Sequence, residues 1–388
     1  MEIRDRQFYD LIARGLESNG ISYQEYVDEL FAEKYNAPDT PGFDWEPDMQ
    51  DDFEFKQISA TARVYTMATY VDFDSPGPVK HTEGFELGSD KMPRMKHEFN
   101  IDEAKIRLHM QAMQQFGIFS DRMAQSIENL LFESTDMLIG GNYNSLKYQR
   151  HQAVSKGQFD IIADNNPQGI TGVSIDFHVP GKNRWEIPWW SKTGDPVAGI
   201  DPLKDLKDKV TYIRQTNYNP VDHIEVNKIT WDNFIMIPAV RQSLGYIKNP
   251  LVGGDQSAMQ IGVSLLDEEM KMLIEKYVGA PITVIDSVSV VEKFDKKTRT
   301  VTTPTLQSFD ENVFVFVPAS RIGTIKAVTP IVINDPAARI AFYDGGRTVI
   351  TQTFDAYNKV QKISSELTAL CVPNVVKQMY YLTVKATK

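Results

Sequence analysis

Residues 60–72 read ATARVYTMATYVD, residues 74–78 read DSPGP, and residues 95–106 read MKHEFNIDEAKI. The first stretch is dense in Thr, Val and Tyr, which favour a pleated, half-buried surface. The second is punctuated by Pro and Gly and marks a loop tip. Residues 83–99 then run back, so 60–99 predicts a long two-stranded excursion. A lone hairpin is marginal in water, so it must rest on a neighbouring element or on another chain. Asn100 follows as a helix N-cap, with Glu103 three residues on in the form of a capping box. From there Ile106, Met110, Met113, Met123, Ile127, Leu130, Leu131 and Leu138 recur at helical spacing. Gly140-Gly141 is expected to end the run. At 1.5 Å per residue such a helix spans roughly 55 Å. The alternative is two ordinary helices divided near Gly117.

Upstream, residues 1–34 read as helical. Phe8, Leu11, Ile12 and Leu16 share a face, Gly20 breaks the run, and Ser22 caps a second helix carrying Tyr26, Val27, Leu30 and Phe31. Residues 35–59 carry Pro38, Pro41 and Pro47 amid Asp39, Asp44, Glu46, Asp48, Asp51, Asp52 and Glu54, with Trp45, Phe53 and Phe55 between them. Such a segment stays extended by itself and reads as an arm. Downstream lies a Trp-rich stretch (Trp185, Trp189, Trp190). Asp201-Pro202 then opens a helix with the stripe Leu203, Leu206, Val210, Ile213. Thr230–Tyr246 is helical except for Pro238. Ser264, with Asp267 three on, is expected to cap a helix that buries Leu266, Met270, Leu273, Ile274 and Tyr277 and stops at Gly279 and Pro281. Strands are expected at 282–291, 300–303, 314–317 and 379–384, with a turn at 295–297.

The chain has 388 residues, 42% of them hydrophobic and 24% charged, enough for two or three lobes and a sizeable core. Its net charge of −11, with Lys and Arg scattered among carboxylates, excludes a primary duplex-binding role, which needs clustered cations. The single cysteine, Cys371, forms no intrachain disulfide, suits a reducing compartment and reads as a small core residue between Leu370 and Val372. The N-terminus MEIRDRQFYD has no apolar run and is not a signal peptide. No stretch of about 18 uncharged apolar residues occurs, so no membrane span is expected.

Catalytic patterns are lacking. There is no P-loop, GxSxG or HExxH, and the six histidines (81, 97, 109, 151, 178, 223) lie at no zinc-ligand spacing. His97 and Glu98 are neighbours in a strand and point to opposite faces. Asp44, Glu46 and Asp48 alternate as a hard cation's ligands would, but the Gly and distal Glu of an EF-hand are absent, and a solvated acidic arm explains them. Gly253-Gly254 and Gly345-Gly346 read as turns. The chain is expected to be no enzyme, with no catalytic, cofactor or metal residues and no cofactor.

The order of parts resembles the major capsid proteins of tailed phages with the Hong Kong 97-type fold, particularly the branch called major capsid protein E. Local stretches are similar too: Trp190 followed by Asp201-Pro202-Leu203-x-x-Leu206, then Asn219–Val226, then Pro281–Asp286, then Phe309 with Phe314–Pro318 and Gly323. The resemblance implies an α+β chain with an N-terminal arm (1–59), an E-loop hairpin (60–99), a spine helix and peripheral domain (100–230), an axial domain (231–350) and a return to the peripheral domain (351–388). It implies self-assembly into pentamers and hexamers of an icosahedral head shell enclosing double-stranded DNA, in the virion, after assembly in the bacterial host cytoplasm. The implied partners are sister copies, a separate scaffolding protein (no fused scaffolding region precedes the arm), a portal protein at one vertex, decoration proteins, and weak non-specific contact with packaged DNA, with no membrane. Lys80, Lys91 and Lys96 lie in the hairpin, but no Asn or Glu partner for an isopeptide cross-link is identifiable, and none is expected.

Eight residues of the arm and hairpin are expected to be exposed on a lone subunit and covered by sister copies: Trp45, Phe53, Phe55, Val64, Tyr65, Tyr70, Phe85 and Leu87. Two other readings remain. One is an encapsulin-like nanocompartment shell subunit. The other is an unrelated enzyme or a tail-associated carbohydrate-binding protein, which the five tryptophans alone suggest.

Overall fold

The computed structural model describes residues 24–25, 27–28, 38–59, 86–102, 121–191, 193–217, 220–295, 298, 300–331, 339–355 and 360–385. The chain is α+β. Its longest strand, β18 (Val360–Pro373), organises one sheet. Around it lie β1 (Phe43–Trp45), β4 (Arg94–Asp102), β15 (Gly323–Ala327), β16 (Arg339–Tyr343) and β17 (Thr348–Asp355), in the order β1-β15-β18-β17-β16 with β4 also on β18. From Ile363 to Leu367 β18 alternates buried and half-buried residues, the period of a strand with one dry face. From Leu367 on it is buried on both faces. Leu367, Ala369 and Cys371 enter one core, Leu370 and Val372 another. Cys371 is fully buried, as its neighbours predict.

Helix α1 (Asp121–Lys156) lies against β18. Two expectations are corrected here. Asn100 caps no helix. It pairs with Lys362 inside β4, because β18 offers partners to every residue from Arg94 to Asp102. Gly140-Gly141 does not end the helix, which runs on to Lys156 and stops at Gly157 in the left-handed region (φ 70°). Gly141 instead permits close approach, since a Cβ there would lie 2.6 Å from His97 Nδ1 on β4. Residues 103–120, including Gly117, and the helices expected in 1–34 lie outside the described residues, apart from helical turns at 24–25 and 27–28.

The hairpin base begins earlier than residue 60. Strand β2 (Glu54–Ser59) pairs with β3 (Glu86–Lys91), with Glu54 opposite Lys91 and Ser59 opposite Glu86. A small ribbon of β5 (Gln158–Ile161) and β6 (Val173–Asp176) extends from the end of α1.

A second sheet runs β7 (Arg184–Trp190), β19 (Tyr380–Lys385), β14 (Val313–Val317), β8 (His223–Asn227), β9 (Ile282–Ile285). Strand β14 reads VFVFV and is buried throughout. Its Val313, Val315 and Val317 join the core shared with α1 and β18, while Phe314 and Phe316 face the other way. A central strand covered on both faces needs this continuous apolar run. Its second cover is α2 (Pro202–Asn217), α3 (Lys228–Met236), α4 (Pro238–Lys248) and α6 (Asp267–Val278), with α5 (Asp255–Ser264) packed on α4. The Asp201 carboxylate accepts from Lys204 N at 3.1 Å and caps α2, whose expected stripe is buried. Pro238 divides α3 from α4 at its N1 position. Ser264 ends α5 rather than capping α6, its hydroxyl donating to Ile261 O at 2.7 Å. Leu266 is the N-cap residue of α6 and is 73% exposed, not buried. A further hairpin, β10 (Val288–Val290) with β13 (Thr305–Gln307) and β11 (Lys293–Asp295) with β12 (Thr300–Thr302), belongs to neither sheet.

The sheets cut across the expected domain boundaries. Strands β7, β8 and β19 join the helices that follow β8, while β15, β16 and β17 join β18. Strand pairing, not chain position, draws this division.

Helices α4 and α5 cross through two glycines. A Cβ on Gly245 would lie 1.8 Å from Ala258 O, and one on Gly262 1.8 Å from Arg241 O. Gly245→Ala and Gly262→Ala are each expected to lose about 1–3 kcal/mol in urea melts, since the backbones must separate. Gly253→Ala, with open space around it, is the neutral control.

Candidate functional site

Gln149-Arg150-His151-Gln152 are four consecutive polar residues on α1, and 3.6 residues per turn spreads them around the helix. All four are buried, because this end of α1 runs between the two sheets. Each polar group therefore needs a partner. Gln149 accepts from Cys371 N at 3.4 Å, and Gln152 donates to Ser308 O at 2.7 Å. His151 lies edge-on to Phe309, and burial, aided by the Arg150 charge, pushes its pKa down to about 3, so it is neutral.

Arg150 carries the junction. Its Nε donates to Pro41 O at 3.0 Å, and its Nη1 and Nη2 grip both oxygens of Glu225 on β8, Nη1 at 2.8 Å. Arg150 and Glu225 are both 2% exposed. His223 Nε2 lies 3.3 Å from Glu225 Oε1, and its Nδ1 2.8 Å from Asp222 Oδ2. Burial by itself would raise the Glu225 carboxyl. The Arg150 charge and the bonds from His223 and Arg150 outweigh it and hold the group below the ordinary glutamate range. Burial likewise opposes charge on His223, but the Glu225 and Asp222 hydrogen bonds prevail and raise its pKa. The arm, the long helix and the second sheet thus meet at one charge cluster.

The arm is held to its own chain. Phe43 is buried, and β1 pairs in parallel with β15. Arg347 donates to Glu46 O at 2.7 Å and lies over the Trp45 ring at 5.1 Å. Beside it, burial pushes Asp344 up to about 6 against the pull of Arg347. Asp44 is 3.3 Å from Arg321 and Glu46 is 3.6 Å from Lys326, so two of the three alternating carboxylates have cationic partners within the chain. Among the described residues no group of three His, Cys, Asp or Glu side chains is placed to hold a metal.

The eight expected surface residues divide. Phe55 is 2% exposed, packed with Phe159, Ile175 and Phe177, and Trp45 is half-buried. Their expected exposure is corrected: the body of the same chain covers them. Phe53 is 50% exposed. Leu87 lies in β3. Val64, Tyr65, Tyr70 and Phe85 fall outside the described residues. Periodicity does not flag Leu251, Met236 or the pair Phe294 and Val301, all exposed. Only the fold shows that, among the described residues, no element lies over them.

The tryptophans form no ligand platform. Trp189 is fully buried and donates to Asp205 Oδ2 at 2.9 Å, Trp190 and Trp231 are buried, and Trp185 stacks on Tyr380 at 4.9 Å. These four belong to the core on the helical side of the second sheet, and Trp45 packs against the core of α1 and β18 under Arg347, so the five tryptophans serve packing at two separate places.

The sequence profile of phage major capsid protein E matches residues 52–320. No curated protein matches the chain. Among solved structures, a putative capsid protein of an Escherichia coli CFT073 prophage is similar, with 13% identity, TM-score 0.41, and 77% of this chain and 79% of that one covered. The satellite phage P4 procapsid, including its size determination protein, gives 10% identity and TM-score 0.41 over 98% and 100%. The SrpI encapsulin complex of Synechococcus elongatus gives 10% and 0.37 over 89% and 86%. Overlap at this level leaves the family profile to carry the assignment.

Arg150→Met is expected to lose about 3–5 kcal/mol by stranding the Glu225 charge, and Arg150→Met combined with Glu225→Met to recover most of it, read in urea melts. The cluster also predicts a two-sided pH profile. The Glu225 contribution is present above the ordinary glutamate range and is lost as pH falls through its depressed value. The His223 contribution is present below the ordinary histidine value and is lost as pH rises through its raised one. Thermal melts against pH should show both limbs, and His223→Gln should flatten the alkaline one.

Proposed function

We propose, from the premise that this chain belongs to the phage major capsid protein E family, that its copies close into the pentamers and hexamers of an icosahedral head shell around double-stranded DNA. That the protein is a capsid shell protein of the virion follows from the family itself, whose profile spans most of the chain. This match is the observation that carries the reading. It favours a phage shell over a nanocompartment, and a structural role over an enzymatic one.

Physics supports the finer reading. A head-to-tail contact closes into a ring when its rotation fits five- or six-fold symmetry. One chain serving both symmetries needs a body that keeps its shape and extensions that adapt. The body is α1 gripped between two sheets and locked by Arg150 and Glu225. The extension is the excursion beyond the β2–β3 pair, with Val64, Tyr65, Tyr70 and Phe85 as its proposed contact residues, together with Leu87 at its base in β3 and exposed Phe53 on the arm. Obligate interfaces of about 2,000–5,000 Å², at about 25 cal/mol per Å² of apolar area, hold such a shell without covalent links. A scaffolding protein, a portal protein at one vertex, decoration proteins and weak contact with packaged DNA complete the proposed partners, with assembly in the host cytoplasm.

Ser59 and Glu86 face each other across the hairpin, so residues 60–85 are replaceable by Asn-Gly, a two-residue turn suited to this pairing. Strand β4, which the body needs, is left whole. The variant is expected to keep the far-UV circular dichroism and melting temperature of the parent while forming no closed shells in negative stain when co-expressed with scaffolding protein. Closed shells of parental size would refute the role of the excursion.

A further inference from the structure

Strand β16 (Arg339–Tyr343) ends the first sheet. It pairs with β17, and among the described residues no strand lies along its other side. An open edge presents N–H and C=O groups on which another chain can add a strand. Proteins blunt such edges with lysines, prolines or bulges. After Arg339 at its start, β16 reads IAFY and carries none of these residues, nor a glycine. It has the β-forming, weakly charged composition that invites edge pairing.

A side chain from the start of the chain occupies this edge. The Phe342 N–H donates to Gln24 Oε1 at 2.7 Å, and Gln24 Nε2 donates to Phe342 O at 2.5 Å. Two residues that face each other in an antiparallel ladder exchange the same reciprocal pair of bonds. Here one carboxamide makes both. Nε2 also donates to Asp28 Oδ1 at 2.9 Å, which fixes the amide with its oxygen toward the Phe342 N–H. Val27 is fully buried in the core that holds Ala341 and Tyr343 of β16. Gln24, Val27 and Asp28 stand three and four residues apart in helical turns, so they share one side of the helix. Val27 anchors that side, Asp28 aims the amide, and Gln24 covers the strand edge. Phe342 is 38% exposed, so water would serve its backbone nearly as well, and the net gain from these bonds is small. What the amide changes is access to the edge.

We propose that Gln24 is an autoinhibitory clip: it takes the place of a strand on the free edge of β16 and so keeps two copies of this chain from pairing antiparallel, β16 to β16. Backbone groups alternate in direction along the strand, so Ile340 points away from β17 as Phe342 does. A second copy set with its Ile340 opposite Phe342 would form the reciprocal bonds at both residues, and its apolar side chains would meet these. The amide at Phe342 stands in the middle of that register. The contact it prevents is a twofold one, separate from the head-to-tail contacts of the shell, so the inference holds or fails independently of the shell reading.

The test uses the full chain, purified without scaffolding protein. Gln24→Ala is expected to speed hydrogen exchange of the Phe342 amide about tenfold, because that amide loses its partner. It is also expected to raise the weight-average mass in sedimentation at least about twofold over the parent at equal concentration, through edge pairing. Circular dichroism and melting temperature should stay those of the parent, since Val27 is untouched. Asp28→Ala, which releases the amide without altering Gln24 or β16, should produce both changes at smaller size, and it carries the same readings if Gln24→Ala fails to fold. Gln24→Ala combined with Phe342→Lys is expected to return the mass to the parental value while exchange stays fast, since a lysine on each copy's edge opposes pairing. Unchanged exchange at Phe342 overturns the proposal, and so does faster exchange with no gain in mass. Association that survives Phe342→Lys would belong to another surface and overturns it as well.

Discussion

The buried pair of Arg150 and Glu225 is the constraint on which the rest of the molecule depends. It ties the carbonyl of Pro41, the end of the long helix and a strand of the second sheet at one point. Burying two charges is costly, and a buried pair rarely stabilises more than well-packed apolar residues of the same shape. What it does is penalise every alternative. Any arrangement that slides α1 along the second sheet, or lifts the arm away, strands a charge in a dry interior. The pair thus selects one relation of helix to sheets, and His223 and Asp222 at its edge connect that relation to solvent and to pH.

From this point the packing follows. With α1 between the sheets, β14 must be dry on both faces, and VFVFV meets the demand with valines toward the helix and phenylalanines toward the tryptophan-lined side. Strand β18 divides its residues in the same way between two cores. The close crossing of α4 and α5 through Gly245 and Gly262 extends the rule: where two backbones must meet, side chains are removed rather than repacked. A body built so tightly changes shape reluctantly, as interiors packed to crystal density do. A shell subunit needs that, because errors in its geometry would multiply around a closed lattice.

Adaptation then falls to what projects from the body. Phe53, the hairpin of 288–307, and Leu251, Met236 and Leu266 leave apolar surface in water. On a protein that functions alone such surface is a liability, whereas on a member of a capsid family it is material for interfaces. The arm is less free than its composition suggests. Arg347, Lys326 and Arg321 hold its first part to the body, and further on Gln50 bridges to Val328 and Asp51 accepts from Thr329, which leaves Asp48, Asp52 and Phe53 exposed.

Several features were legible in the residues alone: the Asp201-Pro202 helix start, the break at Pro238, the glycine stop at Gly279, the buried FVFV strand, the closing strand of β19 and the inert core position of Cys371. Local chemistry decides each of these, through a cap, a ring constraint or an apolar run. The capsid family was legible from the order of parts. Tertiary structure decided the rest. Asn100 carries every sign of a helix cap, yet β18 claims it as a ladder partner, since a strand with a full row of partners outweighs one cap. Gly140-Gly141 reads as a stop, but packing against β4 uses the missing side chain. Phe55 reads as an exposed arm residue, yet the body of the chain buries it, and the polar run Gln149–Gln152 lies past the expected helix end, where two sheets and a distant carboxylate enclose it. A sequence specifies what each residue tolerates over a few neighbours. Which distant strand arrives to pair, cover or neutralise it is a property of the whole chain in three dimensions.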